Sequence, residues 1–174
     1  EKEGMNAQYA IVVSNVNDGY NATVTIEKPD GTVVKTLKAP PKVATIINLD
    51  PFNVVGPQKA KLSYRVSSNL PIVAYQFNPL ENVGVYSNDG SLLLPTNVLG
   101  RKYLVMSWPH RPTGVTGQQL ASTFTVVGAE AGTTTVKVRP SVATAAGGGL
   151  PALAAGQEFE TTIDAKHRLA INSA

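Results

Sequence analysis

The chain has 174 residues, 43% apolar and 16% charged, a balance that builds a globular core and excludes a disordered chain. It contains no cysteine, which removes a disulfide framework, a cysteine nucleophile and a zinc–thiolate site. The net charge of +3 is spread over single Lys and Arg residues, densest at "GRKY" (100–103) and "KHR" (166–168). With few aromatics interleaved, this is a solvated surface and not a nucleic-acid stripe; no apolar run approaches the ~18 residues of a membrane span.

The opening "EKEGMNAQ" lacks the apolar stretch of a signal peptide. From there the dominant period is two. "AIVVSN" (10–15) and "NATVTIE" (21–27) flank a turn at Asn17, Asp18 and Gly19; in the second segment Ala22, Val24 and Ile26 face one way and Thr23 and Thr25 the other. "KPDG" (28–31) is a turn with Pro29 presetting φ and Gly31 free to adopt positive φ, and "TVVKTLK" (32–38) returns, so a three-stranded meander is expected. "KVATIINL" (42–49), "AKLSYRVSS" (60–68) and "PIVAYQFNP" (71–79) follow as strands, the last bracketed by prolines.

After a stretch of turns at 85–100, "KYLVMSW" (102–108) begins a new run, "STFTVVG" (122–128) and "TTTVKVRP" (133–140) read as a hairpin, and "GQEFETTID" (156–164) and "HRLAINS" (167–173) are the last strands. "SVATAAGGGLPALAAG" (141–156) reads as a flexible loop, with room for a short helix through "PALAA". A faint repeat relates "VVSNVNDGYNATVTI" (12–26) to "VVGAEAGTTTVKV" (126–138), and "ATIINL" to "FETTID". The fold class expected is all-β: two antiparallel β-sandwich lobes, 1–84 and 102–174, packed through a connector at 85–101. The second lobe shows fewer strands; it is trimmed, or completed by another chain or by residues beyond Ala174.

No chemistry stands out. Asn88 and Asp89 in "SNDGS" offer oxygens, but "LLLPTNVLG" supplies no further carboxylate, so a turn is expected there and no metal site. Ser91, Ser107, His110 and His167 occur without a G-x-S-x-G elbow, and both histidines sit in turn-like settings. Most acidic residues (Asp18, Asp30, Asp50, Asp89, Asp164) are turn formers, not a facing carboxylate pair. No phosphate-binding glycine loop follows a strand. The expectation is no catalytic residue, no metal ligand and no cofactor. Asn21-Ala22-Thr23 is a glycosylation sequon.

The segment 67–108 carries a more specific pattern: the strand "PIVAYQFNP", the turn "SNDGS", a leucine run closed by proline, and a Tyr-x-Val-x-Ser-Trp strand. This order resembles the N-terminal domain of IgG Fc-binding proteins. The matching residues are Asn69, Pro71, Ala74, Tyr75, Gln76, Asn78, Ser87, Asn88, Asp89, Ser91, Leu92, Leu93, Leu94, Pro95 and Trp108. The resemblance implies an extracellular or cell-surface, non-enzymatic all-β module of large secreted or surface proteins, bacterial members included. Two departures stand: the vertebrate proteins continue into cysteine-rich repeats, and no motif here marks an Fc contact. The module and its location carry over; the ligand does not.

Leu92, Leu93 and Leu94 are then expected as a buried wedge between the lobes, each contributing roughly 1.5–3 kcal/mol, with Gln76 and Asn78 bonding the connector's backbone. Trp108 is expected to plug the junction, with a binding platform as the other reading; Tyr75, Phe77, Tyr86 and Tyr103 on or beside the segments that meet there make either an inter-lobe core or an exposed aromatic patch. The function expected is a binding or adhesion module whose partner is a protein or glycan at the cell surface, without membrane insertion. Two alternatives stay open: a structural subunit or spacer of a surface filament or envelope complex, assembled with further chains by strand addition, and a carbohydrate-binding accessory domain marked by an exposed aromatic row.

Overall fold

A computed structural model describes residues 7–81, 83, 88–108, 111–112 and 119–174. Among them the strands are, in chain order, β1 (Tyr9–Asn15), β2 (Ala22–Glu27), β3 (Val33–Ala39), β4 (Ala44–Leu49), β5 (Gln58–Ala60), β6 (Arg65–Ser68), β7 (Ile72–Asn78), β8 (Asp89–Leu93), β9 (Arg111–Pro112), β10 (Gln119–Leu120), β11 (Thr123–Val127), β12 (Thr133–Val138), β13 (Phe159–Asp164) and β14 (Arg168–Asn172). One 3-10 turn, Thr96–Val98, is the only helical element among the described residues. The protein is all-β, and its sheets are antiparallel.

The chain divides into two compact units. Unit 1 comprises Glu1–Asn53 and Tyr64–Leu99. Its strands form two sheets, β4-β1-β7-β8 and β3-β2-β6. Alternation explains the core between them: Ile11, Val13 and Ile47 point inward from the first sheet, Ala22, Val24 and Ile26 from the second, and all are buried in one cluster.

The three-stranded meander is corrected. Only β2 and β3 form the expected hairpin, while β1 lies between β4 and β7 in the other sheet. Asn15, fully buried at the end of β1, makes the crossing. Its Nδ2 donates to the carbonyls of Tyr20 (2.7 Å) and Ala39 (2.9 Å), and its Oδ1 accepts from the Asn17 backbone N–H (3.0 Å). Replacing Asn15 by Ala strands two carbonyls at the crossover and is expected to lower stability by about 1–3 kcal/mol, read as a shifted denaturation midpoint with unchanged slope. The "KPDG" turn forms as expected: Gly31 has φ +86°, and Asp30 Oδ1 accepts from the Thr32 N–H at 2.9 Å.

Unit 2 comprises Val54–Ser63 and Gly100–Ala174. It holds the sheet β11-β14-β5, the pair β12-β13 and the short pair β9-β10. Its core is Leu150, Ile163, Leu169 and Ile171, with Phe124, Val126, Val136, Val138 and Phe159 packed against them. The expected 122–128/133–140 hairpin is corrected: β11 pairs with β14 and β12 with β13. The chain crosses between sheets at Gly128, whose N–H donates to the His167 carbonyl (3.1 Å) and whose carbonyl accepts from the Lys166 N–H (2.7 Å). A Cβ there would lie 2.7 Å from the Asp164 carbonyl, so glycine is required by the close approach.

"AKLSYRVSS" is not one strand. Its beginning belongs to β5, which pairs with β14 (Ala170 opposite Gln58, Arg168 opposite Ala60), and its end is β6, which pairs with β2. By contact, Val54–Ser63 therefore groups with the C-terminal residues, whereas the division drawn from the sequence keeps it within 1–84. A strand from the first half of the same chain thus lies in the sheet of unit 2.

The loop 141–156 is also corrected. Bridges Thr144↔Leu153, Thr144↔Ser173 and Gly147↔Leu150 hold it, it contains no helix, and Leu150 and Leu153 are buried. The faint repeat survives at the sheet crossings, β1 to β2 and β11 to β12. It fails at "ATIINL", which pairs with β1, against "FETTID", which pairs with β12.

Candidate interaction surface

Most of the motif residues come together on the antiparallel pair β7–β8 and its ends. Tyr75 stands opposite Leu92, Gln76 opposite Ser91, Asn78 opposite Asp89 and Ala74 opposite Leu93. At one end Asn69 Oδ1 accepts from the Thr23 N–H (2.6 Å), and the Pro71 carbonyl accepts from Asn17 Nδ2 (2.9 Å). At the other, Asn88 Nδ2 reaches the Leu80 carbonyl at 3.5 Å. Pro95 opens the 3-10 turn, its carbonyl accepting from the Val98 N–H at 3.1 Å. Ser87 and Tyr86 lie outside the described residues, as does His110. Gln76 Oε1 accepts from the Tyr9 hydroxyl at 3.2 Å.

The buried leucine wedge is corrected. Residues 89–93 are a strand, so side chains alternate. Leu93 points inward and packs on the unit 1 core, whereas Leu92 (52% exposed) and Leu94 (58%) face water. Trp108, in unit 2, is 89% exposed. Its carbonyl accepts from the Ser122 hydroxyl.

The register of the first sheet then reveals a feature that no single segment shows. Ile46, Val12, Tyr75 and Leu92 stand opposite one another across all four strands, on the face turned away from the core. Ile46 is 57% exposed and Tyr75 40%. Phe77 lies on the same face, its ring passing so close over Gly90 that a Cβ there would sit 2.9 Å from Cε1. A solvated sheet face normally alternates to polar residues; this one carries an apolar row.

A second aromatic group, not foreseen in the sequence, sits in unit 1. Phe52 stacks on Tyr64 (centroids 4.5 Å, planes 12° apart), and Tyr64 on Tyr9 (6.3 Å, 15°). Burial, and secondarily the neighbouring Tyr64, push the Tyr9 phenol above its ordinary pKa. The alternation of "AKLSYRVSS" marks Tyr64 as inward-facing, but not its partners.

The described residues hold no group of three or more His, Asp or Glu side chains placed to bind a metal ion. A cavity in unit 2 lined by Pro57, Thr144, Leu150 and Phe159 measures about 10 Å³, too small for an organic ligand. Ser107 Oγ lies 2.7 Å from Ser122 Oγ and 3.4 Å from the Thr123 carbonyl, a structural pairing of hydroxyls. What the surface offers is a broad apolar face and open strand edges, the means by which β-proteins hold other proteins.

Residues 89–174 match the family model described as IgGFc binding protein. This is the family that the central motif resembles. The match begins at Asp89, the first residue of β8, and runs through β14. Asn69, Pro71, Tyr75, Gln76, Asn78, Ser87 and Asn88 therefore precede it. No curated protein and no solved structure matches the chain. Domains of the IgGFc-binding family occur in extracellular proteins and mark protein-binding modules. Among the described residues no helix is long and apolar enough to cross a membrane.

Proposed function

We propose that this chain is a non-enzymatic binding or adhesion module of a larger extracellular or cell-surface protein, and that it holds a protein partner on the outer face of the β4-β1-β7-β8 sheet. The observation that carries this reading is the apolar row Ile46–Val12–Tyr75–Leu92 standing in water. Anchors of this kind, an aromatic among aliphatics on a rigid sheet, give protein contacts most of their energy.

The test is a binding assay on the paired variant Tyr75→Glu/Leu92→Glu. The first probe is immunoglobulin Fc, the partner in the family's description, alongside a panel of extracellular-matrix proteins. Two carboxylates placed in the contact are expected to weaken retention of whichever probe binds by at least ~10-fold, while stability changes by less than about 1 kcal/mol because both sites are exposed. Retention unchanged by the pair moves the contact off this face.

The assembly reading keeps one specific support: among the described residues β11 pairs only with β14, so its other edge is open to strand addition. For glycan recognition the support is thinner. Among the described residues the exposed aromatics Tyr20, Tyr75, Tyr103 and Trp108 form no stacked row, and the stacked trio of Tyr9, Tyr64 and Phe52 is half-buried.

A further inference from the structure

The edge of β11 that is open among the described residues has a fitted occupant in the same unit. Tyr103–Trp108 is a β-prone run whose backbone makes no sheet pairing, and Leu104, Met106 and Trp108 project almost entirely into water. The run is nevertheless tethered beside β11. Ser107 Oγ meets Ser122 Oγ at 2.7 Å, and Ser122 Oγ donates to the Trp108 carbonyl.

One observation suggests the register and a second agrees with its parity. The β9-β10 ladder pairs Arg111 with Leu120 and Pro112 with Gln119. An antiparallel strand at Tyr103–Trp108 in the same register sets Trp108 opposite Thr123, Ser107 opposite Phe124, Met106 opposite Thr125 and Val105 opposite Val126. The Ser107–Ser122 bond places Ser107 on the face of Ser122, Phe124 and Val126, as this register requires and a one-residue slip forbids. A third observation shows the vacancy among the described residues: in the repeat, β1 has neighbours on both edges, and its counterpart β11 is paired only with β14.

We propose that Tyr103–Trp108 is a strap that closes onto the free edge of β11 as a fourth antiparallel strand, extending the sheet of unit 2 to strap-β11-β14-β5. Closure sets Val105 beside Val126 at the rim of the core. Met106 joins Thr125 on the outer face, and Leu104 joins Val127. In the open arrangement the same edge accepts an extended strand with alternating apolar residues, so the strap governs access to it. This inference does not rest on the binding role of the unit 1 sheet.

The absence of cysteine makes the test clean. In the full chain, the pair Met106→Cys/Thr125→Cys, both at exposed sites, is expected to form an intrachain disulfide in most molecules under mild oxidation. The pair Val105→Cys/Thr125→Cys, with side chains on opposite faces of the closed strap, is expected to cross-link at least ~10-fold less. Mass spectrometry after proteolysis reads both. Equal yields from the two pairs, or none from either, overturn the strap. A disulfide that joins two chains overturns it as well and favours assembly by strand exchange.

Discussion

A fragment cut at the limits of the family match, residues 89–174, is expected to show no cooperative unfolding transition where the whole chain shows one. The reason is the path of the chain. β14 is the central strand of its sheet, and one of its neighbours, β5, lies outside the match. Without Val54–Ser63 the backbone of Arg168–Ala170 loses one of its two ladders, and the buried Arg168 loses the Gln58 side chain that Nη2 approaches at 3.4 Å. The turn 164–167 loses Ser63, whose hydroxyl donates to the Lys166 carbonyl at 2.5 Å. At its other end the fragment carries β8 without β7, so Leu93 is turned out of its core. Losses of several kcal/mol are comparable with the 5–15 kcal/mol that stabilises a typical domain. Denaturation followed by circular dichroism is the measurement. Joining Val54–Ser63 to the fragment through a flexible linker is expected to bring a transition back. A fragment 89–174 that melts as sharply as the whole chain would show that β5 is dispensable.

The sequence carried the strands but not their partners, and the reason is physical. Period-two alternation reports which side chains face a core and is blind to which neighbour supplies the hydrogen bonds. "AIVVSN" followed by a turn and "NATVTIE" reads equally as a hairpin or as a crossing between sheets. The buried Asn15, bonded to Tyr20 and Ala39, decides for the crossing. The leucine triplet misled for a related reason. Three apolar residues in a row suggest burial on all sides, but in an edge strand parity turns Leu93 in and leaves Leu92 and Leu94 out. The motif itself was legible as a unit, because its residues are β7, β8 and the turns at their ends. The apolar row was not, because Ile46, Val12, Tyr75 and Leu92 come from four segments whose register is a property of the folded sheet.

Gly148→Ala is expected to be the costliest single substitution proposed for unit 2, at roughly 2–4 kcal/mol, and the argument for it explains the triple glycine of "AAGGGLPA". Composition alone suggests a flexible linker. The structure uses these glycines for close approach. Gly148 has φ +54°, and a Cβ built on it would lie 2.5 Å from the Pro57 carbonyl oxygen and 2.7 Å from the Gln58 Cα. Both contacts are backbone, so neither can swing aside as a flexible side chain would. A Cβ built on Gly147 would meet Pro57 as well, 3.2 Å from Cδ. The loop therefore lies directly on the segment that leads into β5, and Leu150 and Leu153 reach the interior beyond it. Gly149 supplies the control. It too has positive φ, +81°, but nothing lies within 4 Å of its built Cβ. Gly149→Ala thus bears backbone strain alone, about 1–2 kcal/mol. The difference between the two variants in denaturation midpoint measures the contact between loop and β5. Equal losses would mean that the loop yields at Gly148 and that glycine serves only the backbone conformation there.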